Sequence, residues 1–170
     1  MSTDINQITI NEESEDYIGG LLKRGDSIDG YVIKDKISTS SGEAEIYYCE
    51  KDSKTYILKY YFNKTIFSDL EEKLKSLNHK NVMKVYACGK DKKRGKSGNN
   101  KRYSYEIDEF CQGESLANSK LPLTEEEAFE LLKQINEGLN EIHKAGIIHR
   151  DIKAENIYYK NAEKKRSCNR

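Results

Sequence analysis

Residues 149–156 read His149-Arg150-Asp151-Ile152-Lys153-Ala154-Glu155-Asn156. A carboxylate five residues before a carboxamide, with a cation between them, suits phosphoryl transfer. Asp151 can accept or orient the proton of an attacking hydroxyl. The Asn156 carbonyl can ligate a magnesium ion, and Lys153 can neutralise charge on the moving phosphoryl group. The bland alternative is a chance octet in an unrelated loop, so the flanking sequence has to decide.

The octet follows a well-marked helix. Thr124 with Glu127 three residues on forms a capping box. Ala128, Leu131, Leu132, Ile135, Leu139 and Ile142 then make an apolar stripe, and Lys144 and Gly146 suit its C-terminal end. Further upstream, the runs 31–37, 45–50 and 55–61 are rich in Tyr, Ile and Val and read as three strands of an antiparallel meander. Lys51-Asp52-Ser53-Lys54 suits a hairpin between the last two. Phe67, Leu70, Leu74 and Leu77 mark an inserted helix, and 82–88 and 103–110 read as two more strands. Residues 1 to about 25 are a polar lead-in, expected to be loosely ordered. No internal repeat is visible.

Composition narrows the function classes. Lys plus Arg and Asp plus Glu both number 29 in 170 residues, which argues against bulk electrostatic binding to nucleic acid or an anionic membrane. Half of residues 89–102 are Lys or Arg, but no aromatics interleave with them, so a solvated loop between strands is the better reading. No stretch approaches the roughly 18 apolar residues needed to span a bilayer, and the acidic start shows no signal peptide. Cys49, Cys88, Cys111 and Cys168 include no Cys-x-x-Cys pair, which speaks against a zinc site or disulfide framework and for a reducing cytoplasm.

The octet resembles the H-R-D-x-x-x-x-N catalytic loop of the eukaryotic-type protein kinases, matching all four fixed positions. Lys153 resembles the serine/threonine branch; with Arg150 it leaves little room for a small-molecule phosphotransferase. The resemblance covers about residues 29–160. It implies an α+β, protein-kinase-like fold: a five-stranded antiparallel small lobe with one helix, then an incomplete helical large lobe. Boundaries on this reading are a lead-in to residue 28, a small lobe at 29–110 and a partial large lobe at 111–170.

The same resemblance assigns sites. Asp151, Lys153 and Arg150 would be catalytic, and Asn156 would ligate Mg2+. Lys59 falls where the family keeps the lysine that holds the ATP α- and β-phosphates. The backbone of Glu109 and Cys111 would bind adenine, with Ile57 above the ring and Tyr158 below it. In the glycine-rich loop, aligned on Ile46, the three glycine positions become Thr39, Ser41 and Ala44, and the one glycine is Gly42. Active members pair the strand lysine with a glutamate on the inserted helix. That position is Leu70 here, and a one-residue shift would bring Glu71 to Lys59.

No Asp-Phe-Gly or Ala-Pro-Glu follows the catalytic loop, so the expectation is a chain truncated after it, with the helix at 124–145 left for a partner to cover. A non-catalytic, pseudokinase-like module that binds nucleotide or a partner is the alternative to phosphoryl transfer onto protein Ser/Thr hydroxyls.

Overall fold

The computed structural model describes residues 20–37, 44–62, 68–91, 103–119 and 122–159. Two compact units divide the chain: Met1–Thr65 with Lys90–Glu106, and Ile66–Gly89 with Ile107–Arg170. Among the described residues the strands are β1 (Ser27–Ile28), β2 (Tyr31–Ile37), β3 (Ala44–Lys51), β4 (Lys54–Phe62), β5 (Val85–Lys90) and β6 (Tyr103–Glu109). They form one sheet in the order β1-β2-β3-β4-β6-β5.

In the first unit, β3 and β4 pair antiparallel without interruption from Ala44↔Tyr61 to Lys51↔Lys54. The connecting Asp52 and Ser53 have φ of 50° and 59°. Those left-handed values match the right-handed twist of the strands, which is why a two-residue turn can close this hairpin. Side chains then alternate. Ile33, Tyr47, Cys49, Leu58 and Tyr60 are fully buried on one face, while Ile46, Ile57 and Lys59 stand on the other. Tyr60 stacks on Tyr103 at 5.4 Å, and its hydroxyl donates to Asp91 Oδ2 at 2.7 Å.

Order extends further toward the N-terminus than the polar composition suggests. Leu22 is buried at 2% exposure, and its N–H donates to the Tyr47 hydroxyl at 3.1 Å. The Leu21 N–H donates to Glu45 Oε2 at 2.8 Å. Tyr47 also donates its hydroxyl to Glu45 Oε2, and Lys36 Nζ lies 3.0 Å from Glu45 Oε1. A Cβ on Gly20 would fall 2.3 Å from the Tyr47 oxygen, so a side chain there would disrupt the tie. Backbone N–H groups make it, so side-chain patterning gives no sign of it.

Burial pushes the Glu45 carboxyl up, but the hydrogen bonds from Tyr47, Leu21 and Lys36 outweigh burial and hold it below its ordinary value. Burial, then the hydrogen bond to Glu45, raises the Tyr47 hydroxyl.

In the second unit, α1 (Ser68–Ser76) carries Asp69 and Glu71 in its first turn and Lys73 and Lys75 in its last, as the helix dipole favours. Leu74 packs against Val85 and Cys88. Phe67, counted toward this helix from the sequence, lies outside the described residues. Leu77 lies just past the helix and returns its N–H to the carbonyls of Lys73 and Leu74. The next strand starts at Val85, three residues later than the run from Val82 suggests.

The long helix α2 (Glu125–Lys144) begins with both halves of the Thr124–Glu127 capping box in place. It ends in a Schellman motif: Ile147 N–H donates to Ile142 O at 3.1 Å and Gly146 N–H to His143 O at 2.9 Å. Gly146 sits at φ 70°, the left-handed turn that glycine takes without penalty. The buried stripe is narrower than the sequence implies. Leu131 is buried at 8%, but Leu132 is 64% exposed, because adjacent helical residues point about 100° apart. Gly138 is buried where the helix meets the backbone of Asn81; a Cβ there would lie 2.6 Å from the Asn81 carbonyl oxygen.

Two short strands not marked by the sequence, β7 (Glu114–Ser115) and β8 (Tyr158–Tyr159), pair antiparallel, Ser115 opposite Tyr158. Among the described residues, no helix is long and apolar enough to cross a membrane.

Two outcomes are expected. Gly138→Ala lowers the thermal melting point: its backbone clash, at about 1–3 kcal/mol, outweighs the helix-propensity gain of about 1 kcal/mol. An unchanged or raised melting point would show that residue 81 yields freely. Glu45→Gln is less stable than wild type at neutral pH. Because the folded carboxyl is depressed, its contribution is present above the unfolded value and disappears as pH falls through the folded one. The stability gap in urea titrations therefore closes on acidification; a gap that widens in acid would contradict the tie.

Candidate active site

The octet at 149–156 enters directly from the C-terminal turn of α2. Arg150 takes φ 65°, a left-handed value uncommon for a side-chain-bearing residue, which turns the chain ahead of Asp151. The Asp151 N–H donates to His149 Nδ1 at 3.3 Å. A 3-10 turn at Ala154–Asn156 follows and leads into β8. Backbone bonds anchor this run: Leu116 N–H donates to Ile157 O at 2.6 Å and Ala117 N–H to Ala154 O at 3.2 Å.

Three predicted side chains converge within the loop. Asn156 Nδ2 donates to the Asp151 carbonyl at 2.9 Å and to Asp151 Oδ2 at 2.8 Å. Lys153 Nζ lies 3.1 Å from the same Oδ2. Lys153 first, then Asn156, holds the Asp151 carboxyl below its usual range, so it is ionised at neutral pH. With the Asn156 amide nitrogen turned to Asp151, its Oδ1 is the atom suited to a hard cation. Among the described residues no group of three His, Cys, Asp or Glu could hold a metal by itself. Such a donor set fits Mg2+, which is commonly held by one or two protein oxygens together with substrate phosphates.

The first unit carries the other candidates. Ile46 and Lys59 are direct cross-strand partners, and Ile57, two residues from Lys59, shares their face. Ala44 is buried at 6%. Ser41 and Gly42 lie outside the described residues. Lys59 Nζ is 3.3 Å from Glu106 Oε1 on β6, a residue sequence reading did not single out. Glu71 instead pairs with Lys75 at 2.6 Å, one helical turn away, and Leu70 is half-buried. Glu106 is one of three acids in this strand, with Asp108 and Glu109, so the presence of an acid does not by itself mark the contact.

In the second unit, the Glu109 N–H is engaged by the Lys84 carbonyl at 2.8 Å. Of its two backbone groups, only the carbonyl can therefore turn to a ligand. Cys111 is half-buried, and Tyr158 is 49% exposed on β8.

Residues 40–168 match the protein kinase domain family. The chain belongs to this family. A 41-residue stretch is 58% identical to the "Probable serine/threonine-protein kinase ifkB" of Dictyostelium discoideum, covering 24% of this chain and 3% of that protein. An 89-residue stretch is 32% identical to calcium-dependent protein kinase 5 of Plasmodium falciparum, covering 51% of this chain and 14% of that protein. The kinase domain therefore spans only a small part of the curated relatives it matches. In fold it is similar to the Mycobacterium tuberculosis PknI kinase domain, with a TM-score of 0.60 at 16% identity, over 81% of this chain and 57% of that one.

Replacing Lys153 with Met is expected to raise the Asp151 carboxyl toward its ordinary range, since Lys153 is the larger cause of its depression. A carboxyl-detected NMR titration reads this directly; an unmoved Asp151 would mean that Asn156 alone sets its proton affinity.

Proposed function

We propose that this kinase domain transfers the γ-phosphoryl group of ATP to serine or threonine hydroxyls of a protein. The observation that carries the reading is the convergence of Lys153 and Asn156 on one oxygen of Asp151. Two donors fix that carboxylate as an ionised acceptor, as a group receiving a hydroxyl proton must be. As the hydroxyl oxygen bonds to the γ-phosphorus and the β–γ bridging bond breaks, Asp151 takes the hydroxyl proton. Lys153 offsets negative charge on the phosphoryl group. Mg2+, held by Asn156 Oδ1 together with phosphate oxygens, would supply further charge neutralisation. Lys59 would hold the α- and β-phosphates, with Ile46 and Ile57 offering apolar contact to adenine on the same face of the sheet.

A second reading is a module that binds nucleotide without transfer. It is favoured by Leu70 at the position of the family's helix glutamate and by Glu71 being held by Lys75. One experiment separates the two. The chain is incubated with γ-labelled ATP, Mg2+ and dephosphorylated casein, and ATP affinity is measured alongside. Label is expected on casein serine and threonine. Asp151→Asn should lose roughly 100-fold or more of the rate while keeping ATP affinity. Equal transfer by the variant would remove Asp151 from the mechanism. Binding without transfer by the wild type would establish the second reading.

A further inference from the structure

The family's helix partner for the strand lysine is missing at Leu70, yet Lys59 carries a carboxylate contact from another direction. Lys59 on β4 and Glu106 on β6 belong to neighbouring strands of one sheet and to the same unit. Strand alternation fixes the meeting. Tyr60 stacks on Tyr103 on the buried side. Lys59, one residue from Tyr60, and Glu106, an odd number of residues from Tyr103, must both project from the opposite side.

Their side chains are 32% and 16% exposed. The acid is thus the more desolvated partner, and a carboxylate so placed is costly without a cation. That asymmetry makes Glu106 the fixed member and the longer, more exposed lysine the one being held.

We infer that Glu106 is the positioning residue for Lys59, a sheet-borne replacement for the glutamate absent from α1. This deepens the nucleotide reading above and rests on it. An ammonium has three donors, so holding one on Glu106 does not exhaust its capacity for phosphate oxygens. The contact sets where the charge sits, and Glu106 itself touches no substrate. A strand-borne partner also makes lysine placement independent of any movement of α1.

The test is equilibrium binding of Mg-ATP, Mg-ADP and adenosine to the full chain by calorimetry. Adenosine has no phosphates, so it reports the purine contacts and the integrity of the fold. Glu106→Gln should weaken ATP and ADP by about tenfold and leave adenosine unchanged, with Glu106→Asp recovering part of the loss. Lys59→Met should lose the phosphate-dependent preference altogether.

If Lys59→Met loses that preference and Glu106→Gln keeps it, this inference falls and the nucleotide reading stands. Tighter ATP binding by Glu106→Gln would also overturn it, showing a contact that competes with phosphate. Equal weakening of all three ligands would show a merely structural role. No ATP binding by the wild type, or an unchanged preference in Lys59→Met, would sink the inference and Lys59's assignment together.

Discussion

The period-two alternation of β4 is the constraint on which most else in the first unit depends. Leu58 and Tyr60 are fully buried, so Ile57 and Lys59 have to stand on the opposite face. A register slip of one residue would bury the lysine and expose both core side chains at once. The uninterrupted β3–β4 ladder and its two-residue turn at Asp52 and Ser53 hold that register. The same core that stabilises the sheet therefore presents the candidate phosphate anchor. Burial of Tyr60, with its stack on Tyr103, also determines which side of β6 can reach Lys59. Core packing and site geometry are here two faces of one strand.

The features legible in the sequence are local ones. The strand runs at 31–37 and 55–61, the capping box at Thr124 and the glycine stop at Gly146 each involve residues within a few positions of one another. Their physics is complete in a short window. The octet at 149–156 is legible as a unit for the same reason, since Asp151, Lys153 and Asn156 meet within six residues.

What escaped depends on partners far along the chain. The tie of residues 20–22 to Tyr47 and Glu45 uses backbone donors some 24 or 25 residues away. Pairing of β7 with β8 joins two-residue strands whose sequence carries no alternation to read. Glu106 meets Lys59 only because β6 lies beside β4, and nothing in residues 103–110 announces that neighbour. Leu132 fits the apolar stripe by its helical spacing, yet only the Leu131 edge of that stripe is covered, and a sequence window does not say which edge meets a neighbour.

The loop at 149–156 divides its labour between neutral and charged contacts. The side chains of Asp151 and Lys153 are 61% and 51% exposed, so water screens their attraction and the pair adds little to stability. The loop's shape comes instead from uncharged donors: Leu116 to Ile157, Ala117 to Ala154, Asn156 N–H to Lys153 O, and the Asn156 amide to the Asp151 carbonyl. On the proposed mechanism, a substrate hydroxyl approaching Asp151 would compete for Oδ2 with Lys153 and the Asn156 amide. Of the two, Lys153 is the one that can leave without loosening the backbone, because Asn156 also grips the Asp151 carbonyl. Solvent exposure keeps that exchange cheap. In a buried loop the same displacement would strand a charge. On the proposed mechanism Lys153 would therefore turn from the carboxylate to the phosphoryl group, while Asn156 keeps Asp151 in place.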